Sequence, residues 1–195
     1  MSAPLLLGAA SFFAFALSDF FGVLRPRRGA PAFFALGGVL LAASTLWLVL
    51  RRGTGALFGR LWPLRWLSLA LAAAGLALLV HPLFFALPAG GSGVAPPPDG
   101  KLPLVDTGVF ALCRHPGMLW LGLGYLGLWG ALGGAGLGLA FVLFTALDLA
   151  YVFWQDRRVF PHSIAGYERY RARVPFLLPS ARSLRACLRA GTRDG

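Results

Sequence analysis

The chain has 195 residues, 57% of them hydrophobic and 13% charged, with a formal net charge of +11. A soluble domain is about one-quarter charged and could not bury this much apolar surface in one core, so composition excludes an ordinary globular protein. The basic residues flank apolar runs, where they orient spans and attract anionic headgroups. No basic platform with interleaved aromatics accompanies them, so nucleic acid is excluded as the partner.

In chain order, five apolar runs approach the roughly 20 residues that cross a bilayer. They cover 3–24, 31–50, 64–87, 117–133 and 135–156. The expected fold is an all-α integral membrane protein of one domain, 1–195, with about five transmembrane helices, a C-terminal helical hairpin and an amphipathic tail. No positive charge precedes the first run, and Arg25, Arg27 and Arg28 follow it. That pattern suits a retained anchor with its N-terminus outside, not a cleaved signal. Five spans place every Lys and Arg except Arg51, Arg52, Arg60 and Arg65 on one side, which the positive-inside rule makes cytoplasmic together with the C-terminus. Cys113 and Cys187 then lie on the reducing side as free thiols.

Within the first span, Asp19 is an ionisable residue where ionisable residues are costly. It either bonds a neighbouring helix, pairs with an arginine or serves function. His81-Pro82 interrupts the third run, and proline there frees a carbonyl and kinks the helix. The histidine reads as structural or as the wall of a mid-depth cavity. Residues 88–103 are rich in Gly and Pro, which predicts a flexible loop or hinge.

The fourth run carries Gly117, Gly122, Gly124, Gly127 and Gly130, and the fifth opens with Gly134, Ala135, Gly136 and Gly138. Small residues let helix backbones approach in lipid, so these two runs are expected to pack as a tight antiparallel hairpin across Gly133-Gly134. Helical spacing puts Asp148, Val152 and Gln155 on one face of the fifth run. That face is expected to point towards the polar segment at its end. After Pro179, residues 180–195 read as a short amphipathic basic helix in the membrane interface.

Arg114-His115-Pro116 stands where a polar loop enters the fourth run. Across the hairpin come Gln155-Asp156-Arg157-Arg158 and then Tyr167 to Pro175. A hairpin returns both polar segments to the same membrane face, where they can share a site. Arg114 suits a carboxylate ligand through its bidentate fork, or acts as an interfacial anchor. His81, His115 and His162 have no metal-ligand spacing, so no metal is expected. There is no nucleophile elbow and no phosphate loop.

These two blocks resemble the isoprenylcysteine carboxyl methyltransferases and the related bacterial membrane and phospholipid methyltransferases. Leu104, Val105, Asp106 or Thr107, Gly108, Phe110, Arg114, His115 and Pro116 match the first block of that family. Asp156, Val159, Tyr167, Tyr170, Val174 and Pro175 fall in register with the second, so the likeness covers 104–179. Departures are Gln155 for a glutamate, Met118 for a tyrosine, Val109 and Ala111 before the Arg-His-Pro segment, and Ser163-Ile164 for phenylalanine-glycine. The resemblance implies an enzyme that uses S-adenosylmethionine on the cytoplasmic side to methylate a lipid or small apolar acceptor. It assigns Arg114, His115, Pro116, Gln155, Asp156 and Tyr167 to the cofactor. Tyr170 and Arg171 would close the site on the substrate, with Asp148 available to a positive group; no catalytic residue is assigned. The alternatives are an inactive relative serving as a membrane interaction protein, and a nicotinamide-dependent membrane reductase.

Overall fold

A computed structural model of the chain describes residues 2–24, 30–51, 62–81, 100–181 and 183–185. Helix α1 spans Ala3–Asp19 and runs on through a π-helical turn at Phe20–Leu24; α2 spans Ala30–Leu50 and α3 Trp62–His81. After a four-residue α4 at Val109–Leu112 come α5, Pro116–Leu132, and α6, Ala135–Trp154. A second π-helical turn, Gln155–Val159, leads from α6 to two short helices, α7 at Phe160–Ser163 and α8 at Tyr167–Arg173. Among the described residues the only strand-like pairing is one bridge between Leu102 and Ile164.

Four segments are long and apolar enough to cross a membrane: Ala3–Val23, Ala30–Leu50, Pro63–Val80 and Ala135–Ser163. The fourth expected span, 117–133, forms the 17-residue α5. At 1.5 Å per residue that helix is about 26 Å long, short of a hydrocarbon core of about 30 Å. The outward surface is apolar along all of these helices. Phe13, Val39, Leu50, Trp66, Leu67 and Val142 are more than half exposed, a surface that lipid covers without cost and water does not.

α1 packs along α2 and α3 along α5, while α6 joins the pairs by touching both α1 and α5. The core where they meet contains Phe12, Leu121, Tyr125, Leu137 and Phe144. Phe144 fits because Gly8 leaves room for its ring, and Tyr125 meets it edge-on with ring centroids 5.2 Å apart. Two hydroxyl contacts inside the bundle are satisfied internally, as favoured where water is absent. The Ser44 hydroxyl donates to the Pro4 carbonyl at 2.7 Å, and the Thr45 and Tyr125 hydroxyls bond each other.

The glycines of α5 correct the expected hairpin. Its closest backbone approach is to α3, not α6. A Cβ on Gly127 would lie 2.5 Å from the Ala72 amide nitrogen, and one on Gly75 would lie 2.7 Å from the Gly124 nitrogen. Facing α6, a Cβ on Gly122 would find Thr145 at an ordinary 3.6 Å. The α5–α6 turn is made by Gly133 and Gly134, whose φ values of 71° and 85° suit glycine.

The expected kink at His81-Pro82 lies outside the described residues beyond the end of α3. So do Cys187, most of the 88–103 loop and most of the amphipathic tail. Residues 100–103 are described, and they dock: Leu102 N–H donates to Ser163 O at 2.7 Å, Ala165 N–H donates to Leu102 O at 2.9 Å, and Lys101 Nζ donates to Pro161 O at 3.0 Å.

Candidate functional site

Pro116 opens α5, where its missing N–H costs nothing, and leaves Arg114 and His115 on the short non-helical link that enters the helix. On the other side of the hairpin, the π-helical turn carries Asp156 inward at the end of α6. The two segments meet on the Asp156 carboxylate. Arg114 Nε donates to Oδ1 at 2.8 Å and Nη2 to Oδ2 at 3.3 Å. The Tyr167 hydroxyl donates to Oδ1 at 2.7 Å, His115 Nε2 lies 3.3 Å from the same oxygen, and Arg171 Nε lies 3.3 Å from Oδ2. The side chains of Arg114 and Asp156 are 10% and 4% exposed, so this is a buried, multiply bonded charge pair.

Main-chain bonds stitch the same corner. Arg114 Nη1 donates to the carbonyls of Arg171 and Val174 at 2.7 and 2.8 Å. The amides of Arg114 and His115 donate to Pro175 and Phe176 carbonyls at 2.9 and 3.2 Å. Tyr170 donates its hydroxyl to Phe110 O at 2.7 Å, fixing α8 to α4. Thus Tyr170 acts as a brace between the two blocks rather than as an open contact group.

The electrostatics follow from burial. His115 stacks on Phe160 with centroids 5.6 Å apart and meets Phe176 edge-on at 4.9 Å. Burial lowers its pKa to about 4, outweighing the Asp156 carboxylate that favours the proton, while the Arg114 charge opposes it. At neutral pH the ring is therefore neutral, and its contact with Asp156 is an Nε2–H hydrogen bond rather than an ion pair. Burial also raises Tyr167, with its bond to Asp156 adding to the effect, and it raises Tyr170. Both remain phenols. Cys113 is buried, and its thiol is pushed up to about 11 by desolvation, so it is no thiolate nucleophile.

Of the expected cofactor residues, the structure brings Arg114, His115, Pro116, Asp156 and Tyr167 together, with Arg171 at their edge. Gln155 is not among them. Its Nε2 donates to Asp19 Oδ2 at 2.8 Å and to the Tyr151 hydroxyl at 2.9 Å, and Tyr151 donates to Asp19 Oδ2 at 2.6 Å. This corrects the expectation that the Asp148–Gln155 face of α6 points to the Arg114 segment. The face looks towards α1, because consecutive side chains diverge by roughly 100° around a helix and Asp156 takes the inward direction. Asp148 has no hydrogen-bond or ion-pair partner among the described residues.

Two features carry no full signature in the sequence. The aromatic cage of Phe160 and Phe176 around His115 has no linear spacing that announces it. The Asp19–Tyr151–Gln155 network was half visible, because Tyr151 and Gln155 are four residues apart on a helix, but its partner on α1 was not. Among the described residues no group of three or more His, Cys, Asp or Glu is placed to hold a metal.

The described residues thus define a helical protein with four membrane-length apolar helices and a carboxylate-centred hub at one end of the bundle. Comparison with protein-family models, curated proteins and solved structures found no match.

Proposed function

We propose that this chain is an integral membrane enzyme that transfers a methyl group from S-adenosylmethionine to a lipid or small apolar acceptor at the cytoplasmic face. The observation that carries this reading is the meeting of the two motif blocks on Asp156, across a helical hairpin. In the proposed topology α5 is the fourth of five spans, the N-terminus is outside, and the hub, the 88–116 loop and the amphipathic tail are cytoplasmic.

The residues present fit the cofactor in part. Arg114 is spent on Asp156 and two carbonyls, so it positions the site rather than holding a ligand carboxylate. Arg171 is one-third exposed and lies at the rim, where its guanidinium can take the cofactor carboxylate. When bound, the cofactor supplies a methyl group on a positive sulfonium. The chain's own part is alignment of acceptor and methyl and exclusion of water, which the apolar helices and the docked 100–103 segment favour.

One observation favours a second reading, an inactive relative serving as a membrane interaction protein. Arg114, His115 and Tyr167 all turn to Asp156, and Gln155 stands where the resembled family has a glutamate. Calorimetry of the detergent-purified protein with S-adenosylmethionine separates the two readings. Methyl transfer requires binding, with Arg171→Ala weakening it by about 1.5–3 kcal/mol through loss of a charge-assisted bond. No binding at millimolar cofactor leaves the second reading standing.

A further inference from the structure

Two π-helical turns, Phe20–Leu24 after α1 and Gln155–Val159 after α6, pack against each other. Such turns are rare and occur mostly singly, often at functional sites, so each needs contacts that hold it. The turn after α6 is held from two directions. Asp156, its second residue, is drawn to Arg114 and Tyr167 in the hub. Gln155, its first residue, is drawn towards α1, where Nε2 donates to Asp19 Oδ2 at 2.8 Å and to the Tyr151 hydroxyl at 2.9 Å. Tyr151 closes a ring of three bonds by donating to Asp19 Oδ2 at 2.6 Å.

This clasp rests on a braced wall. Beside Asp19, Ser18 Oγ donates to Ala30 O at 2.8 Å and ties the end of α1 to the start of α2. Tyr151 stacks between Phe15, at 6.2 Å, and Trp154, at 6.3 Å, and Gly37 leaves room for the Phe15 ring. If the turn relaxed to an α-helix, its hydrogen bonds would shift register by one residue and turn Asp156 relative to Arg114. The clasp also accounts for an amide at position 155. A glutamate there would set a second carboxylate within hydrogen-bond reach of Asp19, and like charges that close resist ionising together. Gln155 instead supplies the N–H donors that Asp19 and Tyr151 accept.

We propose that Asp19 is a positioning residue for the Asp156 hub: it holds Gln155 and, through Gln155, the π-helical turn that aims Asp156 at Arg114. The amide at 155 then serves a partner on α1 rather than a ligand. The clasp stands whether or not the chain binds S-adenosylmethionine.

Hydrogen exchange in detergent at the Arg114 and His115 amides, which bond Pro175 and Phe176 at the hub corner, tests this without any ligand. Asp19→Leu removes the acceptor of the clasp from a different helix. It should speed exchange of both amides about tenfold or more, one charge-assisted bond, while amides midway along α5 keep wild-type rates. Gln155→Glu should do the same by repulsion. Adding Asp19→Asn to Gln155→Glu moves the carboxylate across the clasp, where the Tyr151 hydroxyl and the new amide donate to it, and should restore wild-type protection. A lesion that merely loosened the fold would not be rescued by exchanging the charge. Tyr125→Phe breaks the hydroxyl contact with Thr45 elsewhere in the bundle and should leave the hub amides unchanged. The proposal is overturned if Asp19→Leu leaves both amides protected, if Gln155→Glu costs no protection, or if adding Asp19→Asn fails to restore it. Equal deprotection by Tyr125→Phe also overturns it. If Asp19→Leu does not fold, the charge exchange decides alone.

Discussion

Gln155 and Asp156 are neighbours in the chain and belong to opposite kinds of site. Asp156 is closed: guanidinium, phenol and imidazole donors converge on it, and main-chain bonds from Arg114 and His115 hold the surrounding corner. Gln155 instead joins Tyr151 and Asp19, and two turns earlier on α6 Asp148 is open, without a hydrogen-bond or ion-pair partner among the described residues. The difference teaches that a carboxylate in a membrane protein can be closed by its donors or left open, and that the count of those donors separates the two. A closed carboxylate should matter to stability far more than an open one.

The largest expected effect breaks the closed side. Asp156→Ala leaves the Arg114 guanidinium buried and uncompensated, which should cost about 3–5 kcal/mol, whereas Asp148→Asn should cost under about 1 kcal/mol. Denaturant unfolding in detergent measures both, and equal losses would erase the distinction. Next, Tyr167→Phe removes one hydroxyl from the same charged acceptor and should cost about 1.5–3 kcal/mol in that assay. Beneath the hub, Gly127→Ala should cost about 1–3 kcal/mol by forcing α5 off the α3 backbone. Gly117→Ala should change stability by less than about 0.5 kcal/mol, because its new Cβ meets only Leu79 at 3.7 Å.

A gentler probe is pH. His115 titrates at about 4 in the folded protein and near 6.5 when unfolded, so between these values the unfolded chain binds the extra proton. Stability should therefore fall as pH drops from about 6.5 to about 4, with no further loss from this group below that. His115→Gln should flatten this part of the stability profile; an unchanged slope would show that His115 is not the group responsible.

Much of the architecture was legible because membrane helices announce themselves by length and apolarity. The runs at 3–24 and 31–50 match α1 with its π-helical turn and α2 to within a residue or so. The partner of α5 was not legible. Gly127 and Gly75 are the residues that bring α3 close, but small residues mark a close approach without naming the helix on the other side. At the site, Arg114, His115, Asp156 and Tyr167 could be grouped from topology and resemblance alone, and the structure does bring them together. Gln155 was grouped with them as the sequence neighbour of Asp156, and its side chain turns away from the hub. Its partner, Asp19, lies 136 positions away on α1. Only tertiary packing makes that contact.

Hydrogen exchange resolved to individual amides in detergent tests the division between closed and open carboxylates most directly. The Arg114 and His115 amides, bonded to Pro175 and Phe176, report on the hub corner. Asp156→Asn should deprotect both amides strongly while Asp148→Asn leaves them as in the wild type. Protection that persists in Asp156→Asn, or is lost equally in Asp148→Asn, would contradict the assignment of Asp156 as the group that joins the two blocks.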